Sequence, residues 1–310
     1  MPITKRKLAT KMMILSSKAG SMTPEVEQAL RDAFSDHEVV EFDPKMKLTK
    51  LLAPKAEVIV AGGDGTVGWT VKALLDTPHS LGILGLGTFN NFAHSVGMPP
   101  DVHAGIKAVK SGSPHAVTVG RINGHPFLEV AAVGMFGEAL LTGEAAKDMA
   151  FGELSRHFKE MAKSEPFRYR LSGDIEGHGV ALSLVIANTP STGARMTVAT
   201  GTTPMDPFLE LQVHAGESYG DLLKRMVKSA FTHGKEDESL EMSFKFRRLK
   251  IETSPRVRAF SDNMEAGRTP ATIEAAIGSL NLILPARNPT AKALSNAKLK
   301  GVRAKGGKAN

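Results

Sequence analysis

The first residues whose types suggest chemistry form a glycine-rich loop made of Gly62, Gly63, Asp64, Gly65 and Thr66. An apolar run at residues 58–61 precedes this loop, and helical spacing at residues 67–75 follows it. Glycines let backbone amides approach phosphate oxygens closely, and a helix start behind them adds partial positive charge. A carboxylate such as Asp64 repels phosphate unless Mg²⁺ or a hydroxyl lies between them. The pattern therefore indicates a phosphate-binding loop rather than a tight turn with an ordinary helix cap.

Two other phosphate-binding patterns do not fit the chain. The segment from Gly63 to Gly68 satisfies G-x-G-x-x-G, but a dinucleotide fold needs an acidic residue about 20 positions further on to hold the ribose. No Asp or Glu occurs between Asp76 and Asp101. The Walker pattern G-x-x-x-x-G-K-[ST] is absent from the sequence. Neither a Rossmann nor a P-loop site is therefore expected.

A second loop repeats the order of strand, glycines and helix at residues 81–93. Two such loops on successive strands of a parallel sheet form one crevice at the carboxyl ends of those strands. We therefore expect Gly87, Thr88 and Asn90 to lie beside the first glycine loop.

The elements that must position these loops change in character along the chain. Alternating strands and helices in the first part predict an α/β domain, with a parallel sheet covered by helices on both faces. After about residue 117, many short strands predict a mostly β sandwich, interrupted by helical stretches near residues 143–162 and 220–231. We expect a phosphate-binding domain at 1–118, a β-rich domain at 119–285 and a basic tail at 286–310 that packs back on the first domain or is flexible.

Composition limits the partners of the protein. The seven basic residues of 286–310, with no acidic residue among them, account for the whole net charge of +7. Such a tail is either a solubilising end or an attachment to anionic lipid at about 1 kcal/mol per charge near the surface. Nucleic-acid binding is not expected, because no aromatic residues interleave the charges. No apolar run approaches the roughly 20 residues of a membrane span, so we expect a cytoplasmic protein, with peripheral contact at the inner face of the membrane as a further option.

The paired loops resemble the catalytic domain of the diacylglycerol kinase-like family, which includes bacterial lipid kinases, diacylglycerol kinases and sphingosine kinases. The similarity lies in GGDGT followed about twenty residues later by L-G-x-x-x-x-G-T-x-N-x-F-A. Weaker similarities follow in the family's order at residues 127–134, 185–188 with Gly193, 206–211 and 277–285. The resemblance thus covers roughly residues 8 to 285. It implies the fold that NAD kinases and diacylglycerol kinases share.

The resemblance implies an enzyme that transfers the γ-phosphate of ATP to the hydroxyl of a membrane lipid such as diacylglycerol, with Mg²⁺. It also implies which residues contact the nucleotide: Gly62, Gly63, Asp64, Gly65, Thr66, Gly87, Thr88 and Asn90. Asp64 would act through phosphate or metal. Asp206 and Glu210 resemble a family segment near a structural metal, with a surface turn as the alternative.

The chain departs from the family pattern at two places. The Asp that usually follows Asn90 is Asn91 here, as in sphingosine kinase-like members. The usual D-G-E, whose Glu is the family's general base, reads Asp262-Asn263-Met264-Glu265, which puts methionine at the base position. Glu265 or Asp262 is then the expected catalytic carboxylate, and a weak or lapsed kinase is the alternative.

Other functions fit the sequence less well. An NAD kinase shares the GGDGT loop, but the second loop favours a lipid acceptor. Residues 216–220 fit the G-x-S-x-G pattern of hydrolases, yet His233 is the only histidine after Ser218, and the acids between them lie on a predicted helix. A nucleotide- or lipid-binding protein without activity is the non-enzymatic alternative.

Overall fold

The computed structural model describes residues 8–145, 165–192, 196–199, 201–214 and 243–285. Its helices are α1 (Pro24–Ala33), α2 (Asp64–Leu74), α3 (Asn91–Ser95), α4 (Val102–Lys110) and α5 (Met135–Ala145), with a 3-10 helix at Leu48–Lys50. Its strands are β1 (Ala9–Leu15), β2 (Glu38–Glu41), β3 (Leu52–Gly62), β4 (Ser80–Gly85), β5 (Ser113–Ile122), β6 (His125–Phe127), β7 (Val130–Gly134), β8 (Phe167–Gly173), β9 (Gly177–Ala181), β10 (Ser183–Ala187), β11 (Ser191–Thr192), β12 (Met196–Thr197), β13 (Leu209–His214), β14 (Ser243–Phe246), β15 (Arg248–Ser254), β16 (Arg258–Ser261), β17 (Met264–Arg268) and β18 (Ala271–Leu284). Among these described segments, no helix has the length and apolar character needed to cross a bilayer.

The first part of the chain forms the predicted α/β domain. Strands β2, β1, β3 and β4 lie side by side in that order, and each neighbouring pair is parallel. Val58, Ile59, Val60 and Ala61 in β3 are fully buried. A continuous apolar run of this kind is typical of a parallel strand covered on both faces.

The strand order also sets the faces on which the helices lie. The unit β1-α1-β2 runs toward one edge of the sheet, and the unit β3-α2-β4 runs toward the other. Because such connections are right-handed, α1 and α2 cover opposite faces. The direction of winding reverses between β1 and β3, and ligands of open α/β sheets bind outside the carboxyl ends of the strands at that point. The prediction of helices on both faces is confirmed.

The second part of the chain is the predicted β domain. Six strands form an antiparallel sheet in the order β14-β13-β10-β7-β16-β17. Alternate residues of β7 and β10 share a core with β8 and β15 of the other sheet: Ala131, Val133, Leu184 and Ile186. The residues between them pack in a separate cluster with Phe136 of α5: Val130, Ala132, Val185 and Ala187. Successive side chains of a strand point to opposite faces of its sheet, so this alternation means that β7 and β10 are covered on both faces.

The long strand β18 joins the two parts of the molecule. Its first residues pair with β15, and Asn281 and Leu282 near its end pair in parallel with Ser80 and Leu81 of β4. Through β18, the strands of the first domain and strands β15, β8 and β9 of the second belong to one ten-stranded sheet. The division at residue 118 stays a prediction. Of the predicted helical stretches, 220–231 and most of 143–162 lie outside the described residues, as does the basic tail.

Candidate active site

The two glycine loops are in direct backbone contact at the carboxyl ends of β3 and β4. The amide of Leu86 donates to the carbonyl oxygen of Gly62 at 2.8 Å. A Cβ added at Gly87 would lie 2.8 Å from the Cα of Gly63, which is closer than real Cβ contacts. Glycine is therefore required at Gly87 because another loop's main chain occupies the place of a side chain. This contact forms the crevice that the sequence predicted.

Asp64 and Asn90 hold the second loop in shape. Asp64 Oδ2 accepts a hydrogen bond from the amide of Asn90 at 2.9 Å. Asn90 adopts the left-handed region, with φ 51° and ψ 40°, which asparagine tolerates better than most residues. Its side-chain amide then closes the loop on itself, because Oδ1 accepts from the amide of Gly87 and Nδ2 donates to the carbonyl of Gly87, each at 2.8 Å. The acid of the first loop thus orders the backbone of the second.

The helix start behind the first loop is open. Gly63 precedes α2 and makes no side-chain capping bond. A Cβ added at Gly65 would meet nothing within 4 Å. Thr88 in the second loop is exposed, whereas Thr66 is buried. The first amides of α2 and the tip of the second loop are therefore placed to meet an anion, since uncapped helix starts attract negative charge.

A third loop, which follows β1, closes the crevice on its other side. The amide of Ser21 donates to the carbonyl of Leu86 at 2.9 Å, and a Cβ at Gly20 would lie 4.0 Å from Thr88 Oγ1. Ser17 donates from both its amide and its hydroxyl to Glu41 Oε1. Sequence reasoning assigned no functional role to this loop, residues 16–20. The signal that was available is its position directly after β1, at the point where the winding reverses.

One face of α2 connects the crevice to the second domain. Asp64, Gly68 and Lys72 lie on successive turns of this face, at the four-residue spacing of a helix. A Cβ at Gly68 would lie 3.9 Å from Leu128 Cδ1. Lys72 Nζ lies 3.6 Å from Asp262 Oδ2. The turn between β6 and β7 and the turn between β16 and β17 are therefore packed along α2, the helix that begins at the first glycine loop.

Asp262, an expected catalytic carboxylate, binds the backbone of the β6–β7 turn. Its carboxylate accepts from the amides of Leu128 and Glu129 at 3.0 Å each and of Val130 at 3.3 Å. Asp262 itself has φ 49°, and its amide donates to the carbonyl of Val130 at 2.8 Å. These bonds occupy the carboxylate with structural partners. Its catalytic role stays a prediction that the contacts do not favour.

We expect Asp262→Ala to lower the free energy of unfolding by about 3 kcal/mol, because hydrogen bonds to a charged group contribute about 1.5–3 kcal/mol each. Alanine leaves three amides of one turn without their acceptor. Asp262→Asn keeps one acceptor oxygen, and we expect about half that loss. Urea unfolding measures both variants, and an alanine variant as stable as wild type would contradict the role of Asp262 in fixing this turn.

Glu265, the other expected catalytic carboxylate, lies in an ion-pair cluster on β17. Its Oε2 accepts from Arg258 at 2.7 Å, and Arg258 also donates to both oxygens of Glu138 in α5. The bond to Arg258 lowers the pKa of Glu265 below its ordinary value of 4.5. Met264, at the family's base position, is half-exposed. The catalytic role of Glu265 stays a prediction, and its guanidinium partner favours a structural role.

The pH dependence of stability tests the pairing of Glu265. A carboxylate whose pKa is lowered by folding stabilises the protein above its unfolded pKa, and the contribution is lost as pH falls through the folded pKa. We therefore expect Glu265→Gln to be less stable than wild type at neutral pH, with the difference shrinking as pH falls below 4.5. Denaturant midpoints across this range measure the difference. A difference independent of pH would contradict the ion pair.

Asp206 and Glu210, the expected metal ligands, face the ammonium group of Lys245. Asp206 Oδ2 is buried, makes no hydrogen bond and lies 3.7 Å from Lys245 Nζ. Burial, opposed by the charge of Lys245, raises the pKa of Asp206. Glu210 is buried and is paired across the strands with Lys245, which also donates to the carbonyl of Gly201 at 2.8 Å.

The oxygen atoms around Asp206 and Glu210 suit the ammonium group of a lysine better than a divalent cation. Within the described segments, no three His, Cys, Asp or Glu side chains are grouped to hold a metal ion. Asp206 lies 3.7 Å from the ammonium group of Lys245, and Glu210 accepts a hydrogen bond from the hydroxyl of Ser243. The predicted metal role of Asp206 and Glu210 stays a prediction, which these contacts do not favour.

Removal of metal tests that role. We expect the unfolding midpoint of wild type to be the same in EDTA and in Mg²⁺, because Lys245 supplies the positive charge. Lys245→Met leaves the buried carboxylate of Asp206 without its positive partner, so we expect a lower midpoint that Mg²⁺ partly restores. A wild-type midpoint that falls in EDTA would instead support a structural metal.

Comparison with known proteins agrees with this architecture. Residues 15–122 match the family model described as diacylglycerol kinase catalytic domain. The chain is 28% identical over 247 residues to a probable lipid kinase YegS-like of Pectobacterium atrosepticum, covering 74% of this chain and 81% of that protein. It is 30% identical over 183 residues to lipid kinase YegS of Escherichia coli K12, covering 56% of this chain and 61% of that protein. An uncharacterized protein of Synechocystis, sll0036, is 26% identical over 239 residues, which are 74% of this chain and 55% of that protein.

A solved structure has the same arrangement of domains. A putative diacylglycerol kinase from Bacillus anthracis superimposes with a TM-score of 0.68 at 21% identity, over 90% of this chain and 99% of that chain. An α/β domain with paired glycine loops, joined to an antiparallel β domain, thus defines a diacylglycerol kinase-like fold. The chain is thus similar to lipid kinases in sequence, and residues 15–122 match the diacylglycerol kinase catalytic domain.

Proposed function

We propose that this protein transfers the γ-phosphate of ATP to the hydroxyl group of a membrane lipid such as diacylglycerol, with Mg²⁺. The observation that carries the proposal is the backbone contact between the two glycine loops, in which Asp64 accepts from the amide of Asn90 at 2.9 Å. This arrangement directs main-chain amides and one carboxylate at the same crevice. Phosphoryl transfer depends mainly on such positioning and on the neutralisation of charge on phosphate oxygens.

The nucleotide would bind through both loops. In the proposed complex the phosphates meet the main-chain amides of the first loop and the start of α2, where the structure leaves space above Gly65. Thr88 is exposed and supplies a hydroxyl from the second loop. The residues proposed to contact the nucleotide are Gly62, Gly63, Asp64, Gly65, Thr66, Gly87, Thr88 and Asn90.

Asp64 fits a role in holding Mg²⁺ between protein and nucleotide. Mg²⁺ in kinase sites is bound by one or two carboxylates together with substrate phosphates, and it retains several waters. The metal would neutralise charge on the phosphate oxygens when bound. Asp64 is half-buried in the crevice and its position is fixed by Asn90, so it offers a carboxylate at a defined place.

A lipid alcohol is the proposed acceptor because the chain's relatives named above are described as lipid kinases and a diacylglycerol kinase. The crevice lies where the second domain meets α2, so an acceptor would enter between the domains. An NAD kinase is the alternative enzyme, because it shares the GGDGT loop. Peripheral contact with an anionic membrane surface is part of the proposal.

Transfer of radioactive phosphate tests the function directly. Purified protein is incubated with [γ-³²P]ATP, Mg²⁺ and, in separate reactions, diacylglycerol, phosphatidylglycerol or sphingosine in mixed micelles, or NAD. We expect label in one of the lipids after solvent extraction. Label that enters NAD and no lipid would contradict the proposal. ATP binding without label in any acceptor would favour a binding protein that has lost activity.

A further inference from the structure

We propose that Glu129 is the general base that takes the proton from the lipid hydroxyl. The inference rests on the proposed kinase function. Asp262 is bound to backbone amides, Glu265 is paired with Arg258, and Met264 has no ionisable group. A carboxylate from another element is the alternative, and Glu129 lies next to the second glycine loop through Asn91.

Glu129 is in the turn between β6 and β7, which the face of α2 contacts. Its neighbour Leu128 lies against Gly68, one helical turn after Asp64. Its side chain is half-buried, and its Oε2 accepts from Thr192 Oγ1 at 2.6 Å. Glu129 therefore lies where the β6–β7 turn meets α2 and the residue that follows Asn90.

A short chain of contacts connects Glu129 to the phosphate-binding residues. Asn91 Nδ2 lies 3.4 Å from Glu129 Oε2. Asn91 directly follows Asn90, whose amide donates to Asp64 Oδ2 at 2.9 Å. Neighbouring Cα atoms are about 3.8 Å apart. The two carboxylates, Asp64 and Glu129, thus approach the same short segment of the second loop from the two domains.

The backbone of Glu129 is fixed on both sides. Its amide donates to Asp262 Oδ1 at 3.0 Å, and its carbonyl accepts from the amide of Asn188 at 2.8 Å. Asn188 is fully buried and donates from Nδ2 to the carbonyl of Leu128 at 3.0 Å. A base needs this kind of support, because catalytic geometry tolerates displacements of only a fraction of an ångström. Asp262 and Asn188 are therefore positioning residues for Glu129.

The proposed step is the transfer of a phosphoryl group from ATP to the lipid hydroxyl. The lipid oxygen forms a bond to the γ-phosphorus of ATP while the bond from that phosphorus to the bridging oxygen breaks. The electron pair of the broken bond stays on the β-phosphate of ADP. The hydroxyl proton moves to the Glu129 carboxylate and is later released to water. Asn91 and Thr192 orient the carboxylate by donating to it.

The test compares wild type with Glu129→Gln, which has the same shape and retains an acceptor oxygen for Thr192 or Asn91. We expect kcat for lipid phosphorylation to fall about 100-fold or more, as is typical when a general base is removed. We expect the Kd for ATP and the melting temperature to stay close to wild type. Glu129→Asp retains the base on a shorter side chain, so we expect intermediate activity. Glu252→Gln, at a surface carboxylate paired with Lys250, is the matched control and should retain wild-type activity.

The pH profile separates a base from a structural acceptor. Wild-type kcat should fall at acidic pH as the base is protonated, and the Glu129→Gln variant should lose this limb. A Glu129→Gln variant with wild-type kcat, or loss of activity in Glu265→Gln alone, would overturn the inference while lipid labelling by wild type still supports the kinase. Wild-type protein that labels no alcohol at all would overturn both.

Discussion

Replacement of Asp64 by asparagine is expected to reduce lipid phosphorylation by about 100-fold, the size of effect seen when one group that stabilises transition-state charge is removed. Asparagine retains an oxygen that accepts from the amide of Asn90, so the two loops should stay in place. What the variant loses is the charge that holds Mg²⁺ against the phosphates. Initial rates with labelled ATP and the lipid acceptor measure the effect.

The affinity for ATP should change in opposite directions with and without Mg²⁺. Without the metal, the carboxylate of Asp64 repels the triphosphate, by about 1 kcal/mol for unit charges 4 Å apart in water. Asp64→Asn should therefore bind free ATP about fivefold more tightly than wild type. With Mg²⁺ the variant should bind more weakly, because the bridging ligand is gone. Isothermal titration calorimetry in EDTA and in Mg²⁺ gives the two dissociation constants.

Asp101→Asn is a matched control for Asp64→Asn. Asp101 is also an acid at a helix start, where it accepts from the amide of Ala104 at 2.8 Å, but it precedes α4 outside the crevice. Its substitution should leave ATP affinity unchanged in both conditions. If Asp64→Asn retained wild-type rates and affinities as well, Asp64 would be only an anchor for the second loop.

Replacement of Gly87 by alanine is expected to have the second large effect. The new Cβ would lie 2.8 Å from the Cα of Gly63 and 3.0 Å from Asn90 Oδ1, and neither atom can move without opening the loop contact. Overpacking of this kind costs about 1–3 kcal/mol. Since 1.4 kcal/mol corresponds to a tenfold change, we expect ATP affinity to fall by about 5-fold to 140-fold if the whole cost falls on the loop contact.

Alanine substitutions at two other glycines distinguish damage to the loop contact from steric exclusion of the bound phosphate. A Cβ at Gly177, in β9 of the second domain, meets nothing within 4 Å, so Gly177→Ala should bind ATP as wild type does. A Cβ at Gly65 also meets no protein atom, yet it would enter the space proposed for phosphate. Gly65→Ala should therefore fold normally and bind ATP more weakly. Wild-type ATP affinity in both Gly87→Ala and Gly65→Ala would contradict a phosphate site at these loops.

The crevice itself was predictable from residue types. Two glycine loops that follow apolar strands must meet at one edge of a parallel sheet, and the contact of Gly63 with Gly87 follows from that geometry. The many short strands after about residue 117 likewise predicted a mostly β sandwich. These predictions depend on which residue types follow one another along the chain, and the sequence contains that information in full.

The partners of the carboxylates were not predictable from the sequence. Asp262 binds the amide of Glu129 across 133 positions of chain, and Thr192 reaches Glu129 across 63. No local pattern encodes such pairs, because they depend on how strands that are distant in the sequence come together within the second domain. Sequence reasoning therefore looked for a base near Met264, where the family has one, and missed Glu129. The signal for Glu129 in the sequence is an acidic residue in an otherwise apolar segment, directly before β7.

A structure of the protein with Mg²⁺ and a non-hydrolysable ATP analogue tests the central claim most directly. We predict that the phosphates lie within hydrogen-bonding distance of the main-chain amides of residues 63–66 and of Thr88, with Mg²⁺ between them and Asp64. A triphosphate bound elsewhere on the protein, with both glycine loops free of ligand, would contradict the account.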